Sequence, residues 1–324
     1  MKFLYKKRSR KYIKDYKIDF DDIKNANTIL FSIFGRYGDS IIGFAGSLEL
    51  IEKYPEKNYI FITSSQNYPY IYDKTKNLFN VKIFTLKKDN IFKLLYILSY
   101  LKFNKPDLGF NPFSWHEESE FLISFAKKFS FFKNQKFNFY DNYYNIMRKY
   151  LNLSQKRIKL YNIEYGNNIL ICPESSEKRR SLTKEQLLSL IKKYKNKNII
   201  LAVNNKLNIN VNQFIFSKKN SKKFLELVKN SELMIVVDSA PLHIGMLYDK
   251  NIIALFSSSS PGRVLNTNKK VFPVRNKILF GLECEDKTCK KAKCLDFINN
   301  NIKIENYIEQ ETTQIIYQCP LREK

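Results

Sequence analysis

At 324 residues the chain is longer than one compact core normally fills, so two domains of roughly 150 residues each are expected. Apolar residues make up 44% and aromatics 15%, which excludes a disordered or fibrous chain. The formal charge of +25 suits phosphate-rich or otherwise anionic partners, although Lys, Asn and Ile crowd the whole chain, so an AT-rich coding bias explains the charge equally well.

Eight of the first seventeen residues are Lys or Arg, and no apolar stretch of signal-peptide length follows them, so a cytoplasmic chain is expected. Phe3, Leu4, Tyr5, Tyr12 and Ile13 among those charges suit an anionic leaflet, and a solvated tail is the alternative. Residues 28–34 read as the opening strand, an Ile- and Phe-rich run of the kind buried on both faces of a parallel sheet. Ile41, Ile42, Ala45, Leu48 and Ile51 then recur at helical spacing until Pro55 stops them. Further strands are expected at 59–63, 81–85 and 108–111, with helices at 90–103 and 117–132. The most apolar helix, 91–103, carries Lys93 and Lys102 and is too short to cross a bilayer.

The pattern restarts with a strand at 168–172, a helix at 183–193, and strands at 198–203, 233–237 and 252–256. Residues 151–165 are polar and weakly periodic, which sets the expected boundaries: a basic extension 1–26, a first domain 27–155 and a second domain 156–324. The expected architecture is α/β, two Rossmann-like domains facing each other across a cleft, with ligands at the C-terminal ends of the strands.

Three stretches at such strand ends carry residues suited to chemistry. Phe34-Gly35-Arg36-Tyr37-Gly38-Asp39-Ser40 lies between the opening strand and its helix, where two glycines allow a tight turn and close approach to a ligand. Gly35-x-x-Gly38 falls short of the dinucleotide fingerprint. Asp39 is either the N-cap of the helix or a general base facing the cleft. The second stretch, residues 172–183, offers the hydroxyls of Ser175 and Ser176 to a diphosphate and Lys178, Arg179 and Arg180 to its charge. A solvated basic turn is the alternative. In the third, Asp238, Ser239, Ala240 and His243 follow an apolar strand and open a helix, whose first amides and dipole suit a phosphate. The other histidine, His116, sits in a first-domain loop beside Trp115, the only tryptophan, where an acceptor sugar could stack or the loop could simply pack.

In this order and at these separations the three stretches resemble the family 9 glycosyltransferases, the bacterial ADP-heptose:lipopolysaccharide heptosyltransferases. Gly38-Asp39 matches the family's Gly-Asp pair after the first strand. Arg180-Ser181-Leu182-Thr183 matches the second motif, with Leu for an aromatic and Thr for proline, and sets Ser175 and Ser176 at its hydroxyl positions. Asp238-Ser239-Ala240-Pro241-Leu242-His243 matches Asp-Ser/Thr-Gly-x-x-His, with Ala for Gly. Residues 255–263 resemble the family's Leu-Phe-Gly-x-Thr-x-Pro segment, with Ser257 for the glycine.

The resemblance covers roughly residues 27–300 and implies the GT-B type glycosyltransferase fold. It also implies a metal-independent, inverting transferase that needs no cofactor besides its nucleotide-sugar donor, expected to be ADP-heptose. Asp39 would take the proton of the attacking hydroxyl. Ser175, Ser176, Lys178 or Arg180, Asp238, Ser239, Ala240 and His243 would hold the donor. Arg36, Trp115 and His116 are the candidates for the acceptor, an anionic lipid-linked core glycan. Such an enzyme is expected to act as a monomer, peripherally at the inner face of the inner membrane.

Five cysteines without an export signal are expected as reduced thiols. Cys284, Cys289, Cys294 and Cys319 lack the usual Cys-x2-Cys spacing of zinc sites, so no metal is expected. Charge alone would admit nucleic acid, but no helix-turn-helix, zinc-finger or RNP signature is present, and that partner is not expected. The remaining rival is a catalytically silent binder of nucleotide or polyanion with the same architecture.

Overall fold

The computed structural model describes residues 16–87, 90–113, 116–132, 141–157, 164, 166–217, 219–266, 270–276, 279, 282–284, 286, 288–289, 293–299 and 314–316. The chain forms two compact units: one runs to residue 137 and resumes at 145–155, and the other takes 138–144 and continues from 156.

The first unit is built on one five-stranded sheet. α1 (Phe20–Asn25), closed by a reciprocal capping box between Asp19 and Asp22, leads into β1 (Thr28–Ile33). Five of the six β1 residues are buried, the two-sided burial that an apolar run without alternation demands. α2 (Tyr37–Lys53), β2 (Asn58–Thr63), α3 (Tyr68–Thr75), β3 (Val81–Thr85), α4 (Ile91–Asn104), β4 (Leu108–Phe110), α5 (Glu117–Ile123) and β5 (Lys128–Ser130) follow. All five strands are parallel, in the order β3-β2-β1-β4-β5. Of α6 (Tyr143–Tyr150), residues from Asn145 onward belong to this unit. Arg148 makes paired bonds to the Glu49 carboxylate at 2.9 and 2.6 Å, and the Tyr150 hydroxyl donates to the Ser130 carbonyl at 2.6 Å. Residues 16–26 also pack here: the Tyr16 amide donates to the Phe129 carbonyl at 3.0 Å, and Ile18 and Ile23 are buried. Residues 1–15 lie outside the described residues.

The expected helix over 117–132 forms only over its first half, as α5 (Glu117–Ile123). The chain leaves α5 at Ser124, turns, and returns to the sheet as β5. Phe129 in that strand and Phe131 just after it enter the apolar cluster of Leu30, Ile62, Ile97 and Phe121. A Phe-rich run with no strong period of its own takes the conformation that buries it best.

The second unit holds β6 (Asn168–Cys172), a 3-10 turn at Lys178–Arg180, α7 (Lys184–Lys193), β7 (Asn198–Val203), β8 (Asn212–Ile215), α8 (Ser221–Asn230), β9 (Leu233–Val237), α9 (Ala240–Leu247), β10 (Asn251–Phe256), α10 (Pro261–Val264) and β11 (Val271–Arg275). A short pair, β12 (Leu282–Cys284) and β13 (Gln314–Ile316), completes it. The main sheet is again parallel, ordered β11-β10-β9-β6-β7-β8, over a core that includes Ile171, Leu201, Leu233, Val237 and Leu295.

Strand order reverses beside the first strand of each sheet, between β1 and β4 in one and between β6 and β9 in the other. Loops leaving the C-terminal strand ends at such a reversal diverge and open a crevice for ligand. The α/β class, with two parallel sheets, is thus observed.

Candidate active site

At the reversal in the first sheet, Gly35 follows β1 with φ +143°, a conformation that side-chain-bearing residues rarely adopt. A Cβ placed on Gly35 would lie 3.6 Å from His116 Cδ2 and 3.8 Å from both His116 Nε2 and Ser40 Oγ. The loops after β1 and β4 therefore meet at this residue. Arg36, exposed, is the N-cap of α2, which makes Asp39 the third helical residue and not the cap. Asp39 is half-buried on that first turn. One turn further on, Gly43 abuts the loop after β4 so closely that a Cβ would stand 2.4 Å from the Pro112 carbonyl oxygen. Only glycine lets α2 approach the segment that leads to His116. His116 is the N-cap residue of α5 and makes no side-chain capping bond; its side chain is 52% exposed, with Nδ1 3.9 Å from Glu118 Oε2. Trp115 lies outside the described residues.

At the reversal in the second sheet, an ion-pair network ties the loop after β6 to the end of β9. Arg180 donates from Nη1 to Asp238 Oδ2 at 2.9 Å and from Nη2 to Glu177 Oε1 at 3.1 Å. Ser259, in the loop after β10, donates its hydroxyl to the same Asp238 oxygen. Arg179 donates from Nε to Glu177 Oε2 at 2.7 Å and from Nη1 to the Cys284 carbonyl at 2.6 Å. Burial works against the Arg180 charge, but Asp238 and Glu177 outweigh it and raise the guanidinium pKa above its ordinary value. Burial likewise would raise the Glu177 carboxyl, and the two arginines instead hold it below the usual range. The Ser175 amide donates to Ser181 Oγ at 2.9 Å, which folds the loop back on itself, and the Ser257 hydroxyl holds the Arg179 carbonyl at 2.9 Å. Ser176 and Lys178 are exposed.

α9 begins where Asp238 ends the strand. Ser239 is its N-cap, in extended backbone, with its hydroxyl donating back to the Val237 carbonyl at 3.2 Å. Ala240 and Pro241 follow, so the positive end of the helix dipole stands beside the Arg180–Asp238 pair. His243, one turn in, is buried, and its Nδ1 lies 2.9 Å from the Tyr144 hydroxyl. Burial lowers its pKa to about 4, with Asp238 opposing and Arg180 adding to the shift, so the imidazole is neutral near pH 7.

That shift has a consequence for stability. His243 binds a proton more readily unfolded (about 6.5) than folded (about 4), so its contribution is complete above about pH 6.5 and is lost as pH falls toward 4. The loss amounts to about 3 kcal/mol in all. Urea unfolding at about pH 7.5 and about pH 5 should show it, and His243→Gln should flatten that part of the pH dependence.

The structure thus gathers Arg180, Asp238, Ser239, Ala240 and His243 at the C-terminal ends of the central strands β6 and β9, with Ser175 on the loop after β6. It adds Glu177, Ser259 and Tyr144, which sequence reasoning did not place in the site. Ser259 was signalled by its position in a hydroxyl run at a strand end. Tyr144, 99 residues from its partner, carries no such signal. It arrives with residues 142–144, which dock on this unit: Asn142 donates to the Gly262 and Leu265 carbonyls at 2.7 and 2.8 Å, and Arg263 stacks 4.8 Å over the Tyr143 ring. Among the described residues no group of three or more His, Cys, Asp or Glu is placed to hold a metal ion, and Cys319 lies outside them. Cys172 is buried at the end of β6, which pushes its thiol pKa up and leaves it unreactive.

Comparison with known proteins matches residues 127–295 to Glycosyltransferase family 9 (heptosyltransferase). No curated protein sequence matches the chain. Among solved structures, E. coli heptosyltransferase WaaC with ADP is 10% identical with a TM-score of 0.53, covering 76% of this chain and 92% of that one. E. coli ADP-heptose lps heptosyltransferase II is 13% identical with a TM-score of 0.59, covering 83% and 93%. The dodecameric, iron-containing glycosyltransferase TibC of enterotoxigenic E. coli is 9% identical with a TM-score of 0.53, covering 78% and 63%. At these identities the likeness is one of fold.

Proposed function

Because the chain belongs to glycosyltransferase family 9, the heptosyltransferases, we propose that it moves heptose from ADP-heptose to a hydroxyl of an anionic, lipid-linked core glycan. The observation that carries this reading is the Arg180–Asp238 pair, which fixes the hydroxyl-rich loop after β6 against the N-terminus of α9. Cations, hydroxyls and helix amides at one strand-end reversal suit a diphosphate. In this reading Ser175, Ser176, Lys178 and the amides of Ser239 and Ala240 bind the diphosphate. Arg180, held by Asp238, lends its charge from behind, and neutral His243 lines the same turn.

Asp39 accepts the proton of the acceptor hydroxyl as its oxygen bonds to the anomeric carbon. The bond from that carbon to the diphosphate breaks, the configuration inverts, and ADP leaves. Charge that builds on ADP is met by groups already in place, the arrangement that lowers a barrier most. A metal ion has no part in this reading. Arg36 and His116, beside the Gly35 turn, contact the acceptor, whose phosphates suit a basic surface. The acceptor's lipid brings the enzyme to the inner face of the inner membrane as a peripheral protein; among the described residues no helix is long and apolar enough to cross.

Thermal shift with ADP-, UDP- and GDP-sugars tests the donor. A bound donor at about a hundred times its Kd should stabilise the fold by about 2.7 kcal/mol, a rise in Tm of a few degrees. ADP-heptose should give the largest rise, and no rise with any of the three classes would refute the reading.

A further inference from the structure

We propose that the outward face of α4 (Ile91–Asn104) is the surface by which this protein docks on an anionic lipid bilayer. The proposal deepens the reading above, and its role in catalysis rests on the acceptor being lipid-linked. α4 buries Leu94, Ile97 and Leu101 in the first unit's core, beside the edge strand β3. Its opposite face carries large apolar side chains into water: Phe92 is 83% exposed, Phe103 90%, and Ile91, Leu95 and Tyr96 about half. Phe79, in the turn before β3, is fully exposed. Single exposed apolar residues are ordinary, but a helix that turns a run of them outward marks a surface that something covers.

Charge identifies the occupant. α4 contains Lys93 and Lys102 and no Asp or Glu, and residues 74–105 hold eight Lys against one Asp. Lys87 before α4, Lys102 in it and Lys105 at its C-cap are exposed, as is Lys82, whose Nζ lies 4.0 Å from the centroid of the Tyr100 ring of α4. A second copy would set two lysine-rimmed faces against each other. Residues 1–15, with seven Lys or Arg against one Asp, would be repelled from the same rim. An anionic headgroup layer over an acyl layer fits both features: lysines meet the phosphates while the aromatics sink to the acyl boundary. At fourteen residues the helix is too short to span and suited to lying in the interface.

Sedimentation of the full-length chain with phosphatidylcholine vesicles, with and without about 30% phosphatidylglycerol, tests this. The wild type should bind the anionic vesicles at least about tenfold more tightly than the neutral ones. The Phe92→Ser/Phe103→Ser variant changes exposed side chains only, so its thermal melt should match the wild type, and its vesicle affinity should fall about tenfold or more. Transfer to a delipidated, water-soluble acceptor should be unchanged in this variant, whereas transfer to vesicle-embedded acceptor should drop.

Equal vesicle binding by variant and wild type would overturn the proposal. So would a wild-type dimer that the variant fails to form, or loss of binding on deletion of residues 1–15 alone. Vesicle binding needs no donor, so a wild type that binds vesicles but transfers no sugar would sink the transferase reading and leave this one standing.

Discussion

Asp39→Ala should lower kcat by about 10²–10⁴-fold, the range expected for loss of a positioned general base, while affinity for the nucleotide-sugar stays within about twofold. The two halves of this result have separate grounds. Asp39 sits on the first turn of α2, in the first unit, whereas the residues proposed for the donor belong to the second. Its removal therefore leaves the diphosphate's partners intact. The fold should also survive, because the helix starts at Arg36, whose carbonyl accepts the first helical bond from the Ser40 amide at 3.0 Å. A half-buried carboxylate in the first turn contributes at most about 2 kcal/mol to the helix. Turnover assays and calorimetric titration of the donor check the two halves independently. A silent nucleotide binder would show unchanged affinity and no wild-type turnover to lose, and a base located elsewhere would leave kcat untouched.

What could be read ahead of the structure followed burial. β1, β6, β9 and β10 lie inside their sheets, so both faces must be apolar and the run of Ile, Val and Phe announces them. β8 and β11 are edge strands and did not stand out. β8 is half-exposed and opens with Asn212 and Gln213, and β11 carries Pro273, which only an edge position tolerates. The site divides in a similar way. Gly35, Asp39, Arg180, Asp238 and His243 were legible because each sits in the loop or first helical turns that follow the C-terminal end of a strand. Which of them touch was not. Arg180 and Asp238 are 58 residues apart and meet only because β9 inserts beside β6. Ser259 joins them because β10 adds next to β9. Such contacts are properties of strand order, which periodicity does not encode.

Arg180→Met is expected to separate the structural and electrostatic parts of that cluster. If the guanidinium acts on the leaving diphosphate as one oxyanion donor does, kcat should fall by about 10²–10³-fold, or about 2.7–4 kcal/mol. Stability should fall as well, by about 3 kcal/mol, because Asp238 is buried and loses the cation that compensates it. The Ser259 hydroxyl remains to it and sets the figure at the low end of the range for a broken buried pair. Adding Asp238→Asn removes the stranded charge, so the double variant should regain most of the lost stability in urea unfolding. It should regain none of the lost turnover. Lys178→Ala supplies the contrast: that side chain is exposed, so its loss should weaken kcat/KM without moving the unfolding midpoint. Full recovery of turnover in the Arg180→Met/Asp238→Asn chain would reduce Arg180 to a scaffold for the loop and leave Lys178 as the cation that meets the diphosphate.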